Sequence, residues 1–356
     1  MSATHLYDIW FCHIRKLLPN ERITRIRLLA WVIVGLCLSQ SIHLKKIAAK
    51  LPFQVRQRST VQRLSRFLQN KHFRVRRWYH DLAQQLLRRA ATHGQVRLII
   101  DSTKVGTRHQ LLMVALAYRK RTLPIAWTWV KSKRGHSGAH KQLALLRYIQ
   151  ELLPDEAQVM LVGDCEFGAV ALLKQLDHWG WKYVLRQPSS IKVCVSAPKW
   201  CSFIDLALAR NKLLWYPHAI MTAEHLYHTS LLAFWQPGES DPWLLATNVC
   251  TAREALRAYR RRMWIEEMFG DWKGHGVDLE KTRLRHIPRL SRLVFIVALL
   301  YLWLISRGAQ TIKNSQRYLV DRKSRRDLSI FRIGLDMIDY LCARNRLLSI
   351  RLTPYC

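Results

Sequence analysis

Apolar positions recur at helical spacing through residues 1–90, with few Gly or Pro, which predicts a helical region. Within it, IHLKKIAAKLP (42–52) reads as a short amphipathic helix ended by Pro52. Ser59 or Thr60 is positioned to cap a second helix, TVQRLSRFLQN, with Arg63 and Arg66 on its polar side. From residue 96 the pattern changes to short runs rich in β-branched and aromatic residues. VRLIID (96–101), LLMVALAY (111–118) and LPIAWTWV (123–130) predict three strands of an antiparallel meander, with polar turns at 107–110 and 119–122. A helix over 139–153, a buried strand QVMLVGD (158–164), a helix over 169–179 and a strand KYVLRQ (182–187) follow. That order predicts an α/β fold with a mixed sheet. Residues 188–245 break the alternation with KLLWYPHAI, HTSLLAFW and PWLLAT, which read as a mainly β insertion. Helical pattern returns at about residue 252, interrupted at 274–276 and at Pro288. The apolar runs 28–38 and 293–305 span 11 and 13 residues. A membrane-crossing helix needs roughly 20, so both read as buried helices and no membrane partner is expected.

Charge changes this picture most. The 356 residues carry 58 Lys/Arg against 24 Asp/Glu, a formal charge of +34. With 49% apolar residues the chain can still build a core, so the excess points to a polyanionic partner, nucleic acid first. It is not confined to a tail: 19 of the basic residues and three of the acids (Asp8, Glu21, Asp81) lie in residues 1–100. The two short helices there, the second of them basic, resemble a helix-turn-helix, and RVRRWYH (74–80) mixes basic and aromatic residues in a way that suits phosphate contact. Eight scattered cysteines form no Cys-x-x-Cys, which leaves little support for a zinc site and fits reduced thiols of the cytoplasm. No signal peptide is evident at the start of the chain.

The candidate chemistry is carboxylate. Asp101 and Asp164 each close an apolar strand, at the sheet edge where α/β folds bind ligands. Either alone suits a turn or a helix cap; together, with Gly163 and Gly168 framing the second, they call for a cation between them. Mg²⁺ (or Mn²⁺) is held by such oxygen ligands beside a substrate phosphate. A third acid would complete a site for two ions, one for each of the attacking and leaving oxygens. It is found in AYRRRMWIEEMFGDWKGHGVDLE, where Tyr259, Arg262, Glu266 and Lys273 are spaced Y-x2-R-x3-E-x6-K. Offsets of 3, 4 and 7 predict one helical face carrying all four.

This spacing resembles the signature of bacterial insertion-sequence transposases of the IS-four family, and DSTKVG and GDCEFG fit the same pattern over about residues 20–306. The resemblance implies an RNase H-like catalytic core with a β-rich insertion, beside an all-α N-terminal DNA-binding region. It implies that Asp101, Asp164 and Glu266 form a DDE triad holding Mg²⁺, and that Tyr259, Arg262 and Lys273 grip DNA near the cleaved end, with Arg63 and Arg66 as further DNA contacts. The spacing selects Glu266 over the adjacent Glu267. The expected reaction is cleavage at element ends followed by strand transfer into target double-stranded DNA, with a homodimer on DNA at the nucleoid of a bacterial cytoplasm. Where relatives often carry Arg after the second Asp, this chain has Cys165, and Glu166 reads as a helix-start acid. Trp235 and Trp243 are the candidates for a tryptophan that stacks on a flipped base.

The expected organisation is a helical N-terminal DNA-binding region (1–92), the first part of the core (93–187), the β-rich insertion (188–248), the second part of the core with Glu266 (249–310) and a C-terminal helical region (311–356). Two other readings stay open: a nuclease of the same fold that never joins strands, and a non-catalytic DNA-binding derivative.

Overall fold

The computed structural model describes residues 3–106, 108–130, 136–196, 198–206 and 209–355. Thr107, within the expected turn at 107–110, and Cys356 lie outside the described residues; the described cysteines are all free.

Five helices precede the first strand: α1 (Ala3–Leu17), α2 (Ile23–Ser39), α3 (Leu44–Ala49), α4 (Gln57–Gln69) and α5 (Val75–Thr92). The α/β stretch runs β1 (Val96–Val105), β2 (His109–Tyr118), β3 (Arg121–Val130), α6 (Ala139–Leu152), β4 (Val159–Gly163), α7 (Val170–His178) and β5 (Lys182–Arg186). Next come β6 (Lys192–Ser196), β7 (Lys199–Ser202), β8 (Leu213–Met221), β9 (Tyr227–Phe234) and β10 (Trp243–Thr247), and then α8 (Ala252–Tyr259), α9 (Met263–Trp272), α10 (Ile287–Lys313) and α11 (Ile330–Ala343).

The chain forms two compact units. One comprises Met1–Leu86, Lys104–His109 and Phe269–Cys356. It is a helical assembly in which α10 packs against α2, α4 and α11. Glycines let α10 and α11 approach backbone to backbone: a Cβ on Gly308 would stand 1.9 Å from the Ile330 carbonyl oxygen, and one on Gly334 1.9 Å from that of Leu304. The buried Arg292 of α10 donates to the carbonyls of Leu68 (2.7 Å) and Phe73 (3.1 Å). The first of these closes the C-terminal end of α4, where a cation meets the helix dipole. At 27 residues α10 far exceeds the 13-residue run that marks it in the sequence. It is long and apolar enough to cross a membrane, and 89% of its most apolar stretch is buried within the fold, as in a core helix. Pro288 begins this helix rather than interrupting one, as expected for a residue with no N–H to leave unpaired in a first turn. The α4 helix starts earlier than the sequence suggests: its N-cap is Arg56, not Ser59 or Thr60, and no side chain caps it.

The other unit comprises Leu87–Thr103 and Gln110–Met268 and is built on a mixed sheet. The strand order is β3-β2-β1-β4-β5-β10-β9-β8-β6-β7 over ten strands. β1, β4 and β5 are parallel neighbours. β10 joins β5 antiparallel, so the strands of the expected insertion extend the central sheet instead of forming a separate one. β6 and β7 were not expected. The helices α6 and α7 pack on β3 and β5, and α8 packs on β4 and β5, where Ala255, Ala258 and Tyr259 join a core with Met160, Val162 and Val184.

Candidate active site

Parallel pairing of β1 with β4 sets the site. Ile100 faces Gly163 in register, so the next residues, Asp101 and Asp164, stand at equivalent positions on neighbouring strands. Only a glycine fits at 163: a Cβ there would stand 2.8 Å from Ile100, 3.0 Å from Leu185 and 3.0 Å from Phe167. Asp164 caps the single 3₁₀ turn Cys165–Phe167, its Oδ1 accepting from the Cys165 N–H at 2.8 Å. The Asp101 carboxylate likewise accepts from the Ser102 N–H at 2.7 Å.

Glu266 arrives from the first turn of α9. The chain from Tyr259 to Glu266 is not one continuous helix, as the spacing suggested. Tyr259 ends α8, and Arg262 sits in a tight break with hydrogen bonds from Arg262 N–H to the Tyr259 carbonyl (2.8 Å) and from Trp264 N–H to that of Arg261 (2.9 Å). These i→i−3 bonds tighten the backbone between the two helices. Lys273 falls one residue past the end of α9.

Three acids and one arginine come together. Arg262 Nη1 lies 2.6 Å from Glu266 Oε1, 3.5 Å from Asp101 Oδ2 and 3.9 Å from Asp164 Oδ2. Asp101 is the most enclosed acid, with a side chain 14% exposed against 33% for Asp164 and 41% for Glu266. Burial pushes its carboxyl up to about 7, opposed by the Ser102 N–H and the Arg262 charge and reinforced by Asp164 and Glu266. Arg262 is itself half-enclosed: burial lowers its pKa, but Tyr259 and the three carboxylates hold it above its ordinary value.

The acids supply only oxygen donors, which suits a hard divalent cation, and Asp101's raised pKa marks a carboxylate short of compensating charge. In this arrangement Arg262 takes the cation's position, and no group of three or more His, Cys, Asp or Glu among the described residues forms a ready metal cage. Glu267 faces elsewhere, pairing with Arg121 at 3.0 Å.

Other expected residues fall differently. Tyr259 is 3% exposed, its ring edge-on to Trp243 at 5.0 Å, and its buried hydroxyl lies beside the Arg186 guanidinium. Burial drives its phenol pKa upward. Trp243 is thus a packing residue at this point, whereas Trp235 lies beside Arg210, whose guanidinium carbon is 5.5 Å from the ring centre. Arg63 and Arg66 are exposed on α4 and line a groove of about 560 Å³ in the helical unit.

Glu166 is not the simple helix-start acid its position suggests. Its carboxylate accepts from Ser102 Oγ (2.8 Å), from the Ser137 N–H (2.7 Å) and from Ser137 Oγ. His136 Nδ1 stands 3.7 Å away. Gln110 donates to Ser102 Oγ at 2.6 Å, and Gln142 donates to the Glu166 and Ser137 carbonyls at 3.1 and 3.0 Å. The network thereby fixes the residue next to Asp101. Nothing local in the sequence connects positions 102, 137 and 166.

The family model of the transposase DDE domain matches residues 92–303. No curated protein matches the chain. Among solved structures the chain is similar to the piggyBac transposase in a cryo-EM synaptic complex with hairpin DNA, at 10% identity and a TM-score of 0.48, covering 98% of this chain and 83% of that one. The family match spans more than half of the sequence and contains Asp101, Asp164 and Glu266, and the chain belongs to the transposase DDE domain family.

Proposed function

We propose that this protein is a DNA transposase of the IS-four type with an RNase H-like core, which cleaves the ends of its element and joins them to target DNA using Asp101, Asp164 and Glu266. The observation that carries the reading is the meeting of all three carboxylates around one guanidinium nitrogen of Arg262. Two Mg²⁺ or Mn²⁺ ions bound by these acids would supply Lewis-acid stabilisation of the attacking and leaving oxygens at phosphorus.

The chain's own residues do the positioning. Asp101 and Asp164 project from rigid adjacent strands and Glu266 from a helix start, so their separation is fixed by the sheet and by the packing of α8. Arg262 neutralises the acids until substrate arrives, and then turns to the phosphate, a group that guanidinium binds in a fork. The Tyr259 hydroxyl would offer a further donor, and Lys273 a further cation, to the strand near the cleaved bond. Phosphoryl transfer needs this positioning and charge neutralisation more than a covalent enzyme intermediate. On this reading the protein works as a homodimer on double-stranded DNA at the nucleoid of a bacterial cytoplasm, and Arg63 and Arg66 contact DNA from α4.

The test is cleavage of labelled DNA carrying the element's ends, in Mg²⁺ or in EDTA. Metal-dependent release of a 3′-OH and strand joining are expected for wild type and for Glu267→Gln, and are lost in Glu266→Gln while binding persists. Cleavage without joining would make the protein a nuclease, and binding without any metal-dependent cleavage an inactive derivative.

A further inference from the structure

A second basic site lies in the same unit, away from the acids. Four arginines, Arg97 of β1 and Arg253, Arg257 and Arg261 of α8 and the turn after it, line a cavity of about 370 Å³ together with Gln95 and Glu254. Arg253 and Arg257, four apart, share one face of α8, and Arg261 follows in the turn after it. Like charges at that spacing repel, and Arg97 adds a fourth from the sheet. Glu254 is the one acid lining the cavity. Among the described residues none of the four arginines forms an ion pair; Arg261 donates to the Arg257 carbonyl at 3.1 Å and lies 5.9 Å from the Trp264 ring centre. Burial and the charges of Arg97 and Arg257 lower the Arg261 pKa, as expected where positive charge is gathered without a counterion. A bound polyanion would relieve this repulsion.

Position gives the ligand. Side chains alternate along a strand, so Arg97 and Asp101, four residues apart on β1, emerge on the same face of the sheet. Four residues of strand cover roughly 13 Å, a distance that a DNA strand running from Asp101 spans within a few nucleotides.

We propose that the cavity lined by Arg97, Arg253, Arg257 and Arg261 is a phosphodiester-binding site that holds the DNA backbone a few nucleotides from the bond at Asp101. The inference rests on the transposase reading for its substrate, but not on the chemistry of the acids.

The experiment is a salt titration of DNA binding by the full chain in EDTA, so that no cleavage enters. Each phosphate contact contributes about 0.9 to the slope of log affinity against log salt. Arg97→Gln/Arg257→Gln should therefore flatten the slope by about 1.8, so that wild type loses about 12-fold more affinity than the variant between 50 and 200 mM salt. Arg97→Lys/Arg257→Lys keeps the charge and should retain most of the slope; this controls for loss of fold, as does an unchanged melting profile. Arg147→Gln/Lys174→Gln removes two exposed charges on α6 and α7 and should leave the slope near wild type. An unchanged slope in the Arg97/Arg257 variant, or an equal loss in the Arg147/Lys174 control, overturns the site. If wild type shows no metal-dependent cleavage but the slopes differ as stated, the transposase reading fails and the phosphate site stands. If wild type shows no salt-sensitive DNA binding, both fall.

Discussion

Arg262 and Glu266 are one helical turn apart in sequence, and the arginine's Nη1 lies 2.6 Å from the glutamate's Oε1. The same nitrogen is within 4 Å of Asp101 and Asp164. The pair is thus the link between α9 and the interior strands β1 and β4, and Arg262 is the charge that lets three carboxylates share one place.

Removing that charge should expose the repulsion. Breaking an enclosed ion pair costs about 3–5 kcal/mol, but Glu266 is 41% exposed and solvent screens it, so Arg262→Ala should destabilise the metal-free protein by about 1–2 kcal/mol. Mg²⁺ should restore more stability to this variant than to wild type, because the arginine no longer competes for the acids. Urea unfolding in EDTA and in Mg²⁺ measures both. Equal midpoints for the two proteins in EDTA would remove Arg262 as the counterion.

Glu166 connects the site to its surroundings through Ser102 and Ser137. Its side chain is 10% exposed, so Glu166→Ala would leave the Ser137 N–H and two hydroxyls without their acceptor, at a cost of about 1–3 kcal/mol. Glu166→Gln keeps one acceptor oxygen and should cost less. Because the network holds Ser102 next to Asp101, cleavage should also slow in both variants at saturating metal, in the same order. A stable Glu166→Ala protein with full activity would show that the network is incidental.

The strands that carry the acids were legible because their hydrophobic pattern is local: 96–101 and 158–164 both fall on real strands, but β1 runs on to Val105, so Asp101 lies within its strand and only Asp164 follows a strand end. The meeting of Asp101 with Asp164 was not local. It depends on β1 lying beside β4 in a particular register, which no spacing in the chain records. The break after Tyr259 was invisible for another reason. Arg260, Arg261 and Arg262 are good helix formers, and neither Gly nor Pro marks the interruption, so offsets of 3 and 4 read as one smooth helix. That spacing also did not show that the packing of α8 on β4 and β5 draws the Tyr259 ring into the core. β6 and β7 were missed because few of their positions are buried: β6 buries only Val193 and Cys194 and β7 none, so no run of apolar positions announced them. Glu267 was separated from Glu266 by spacing alone; in the fold it pairs with Arg121.

Gly163 is a steric requirement with a direct test. A methyl group there would meet Ile100 at 2.8 Å and both Leu185 and Phe167 at 3.0 Å, and overpacking of this kind costs about 1–3 kcal/mol. Gly163→Ala should lower the urea midpoint accordingly. It should also weaken Mg²⁺ binding, since the side chains of Ile100, Leu185 and Phe167 must shift to admit the methyl and Asp164 follows directly. Calorimetric titration with Mg²⁺ reads the second effect; an unchanged affinity would mean that the strain is absorbed away from Asp164.

The raised pKa of Asp101 predicts how stability depends on pH. In the unfolded chain this carboxyl titrates near 3.9; in the fold, burial first and then the neighbouring acids bring it to about 7. Between those values the folded protein binds more protons than the unfolded one, so stability falls as pH rises. The loss begins above about pH 4 and is complete above about pH 7. It amounts to a few kcal/mol, because each tenfold gain in proton affinity is worth about 1.4 kcal/mol. Metal-free protein should therefore unfold at lower urea at pH 8 than at pH 5, and Asp101→Asn, which cannot ionise, should lose this part of the slope. Divalent cations should oppose the trend in wild type, because they bind the ionised carboxylate and stabilise the fold in proportion to that binding. Parallel pH profiles for wild type and Asp101→Asn in EDTA would show that Asp101 is already ionised at low pH, with Arg262 alone sufficient to hold its charge.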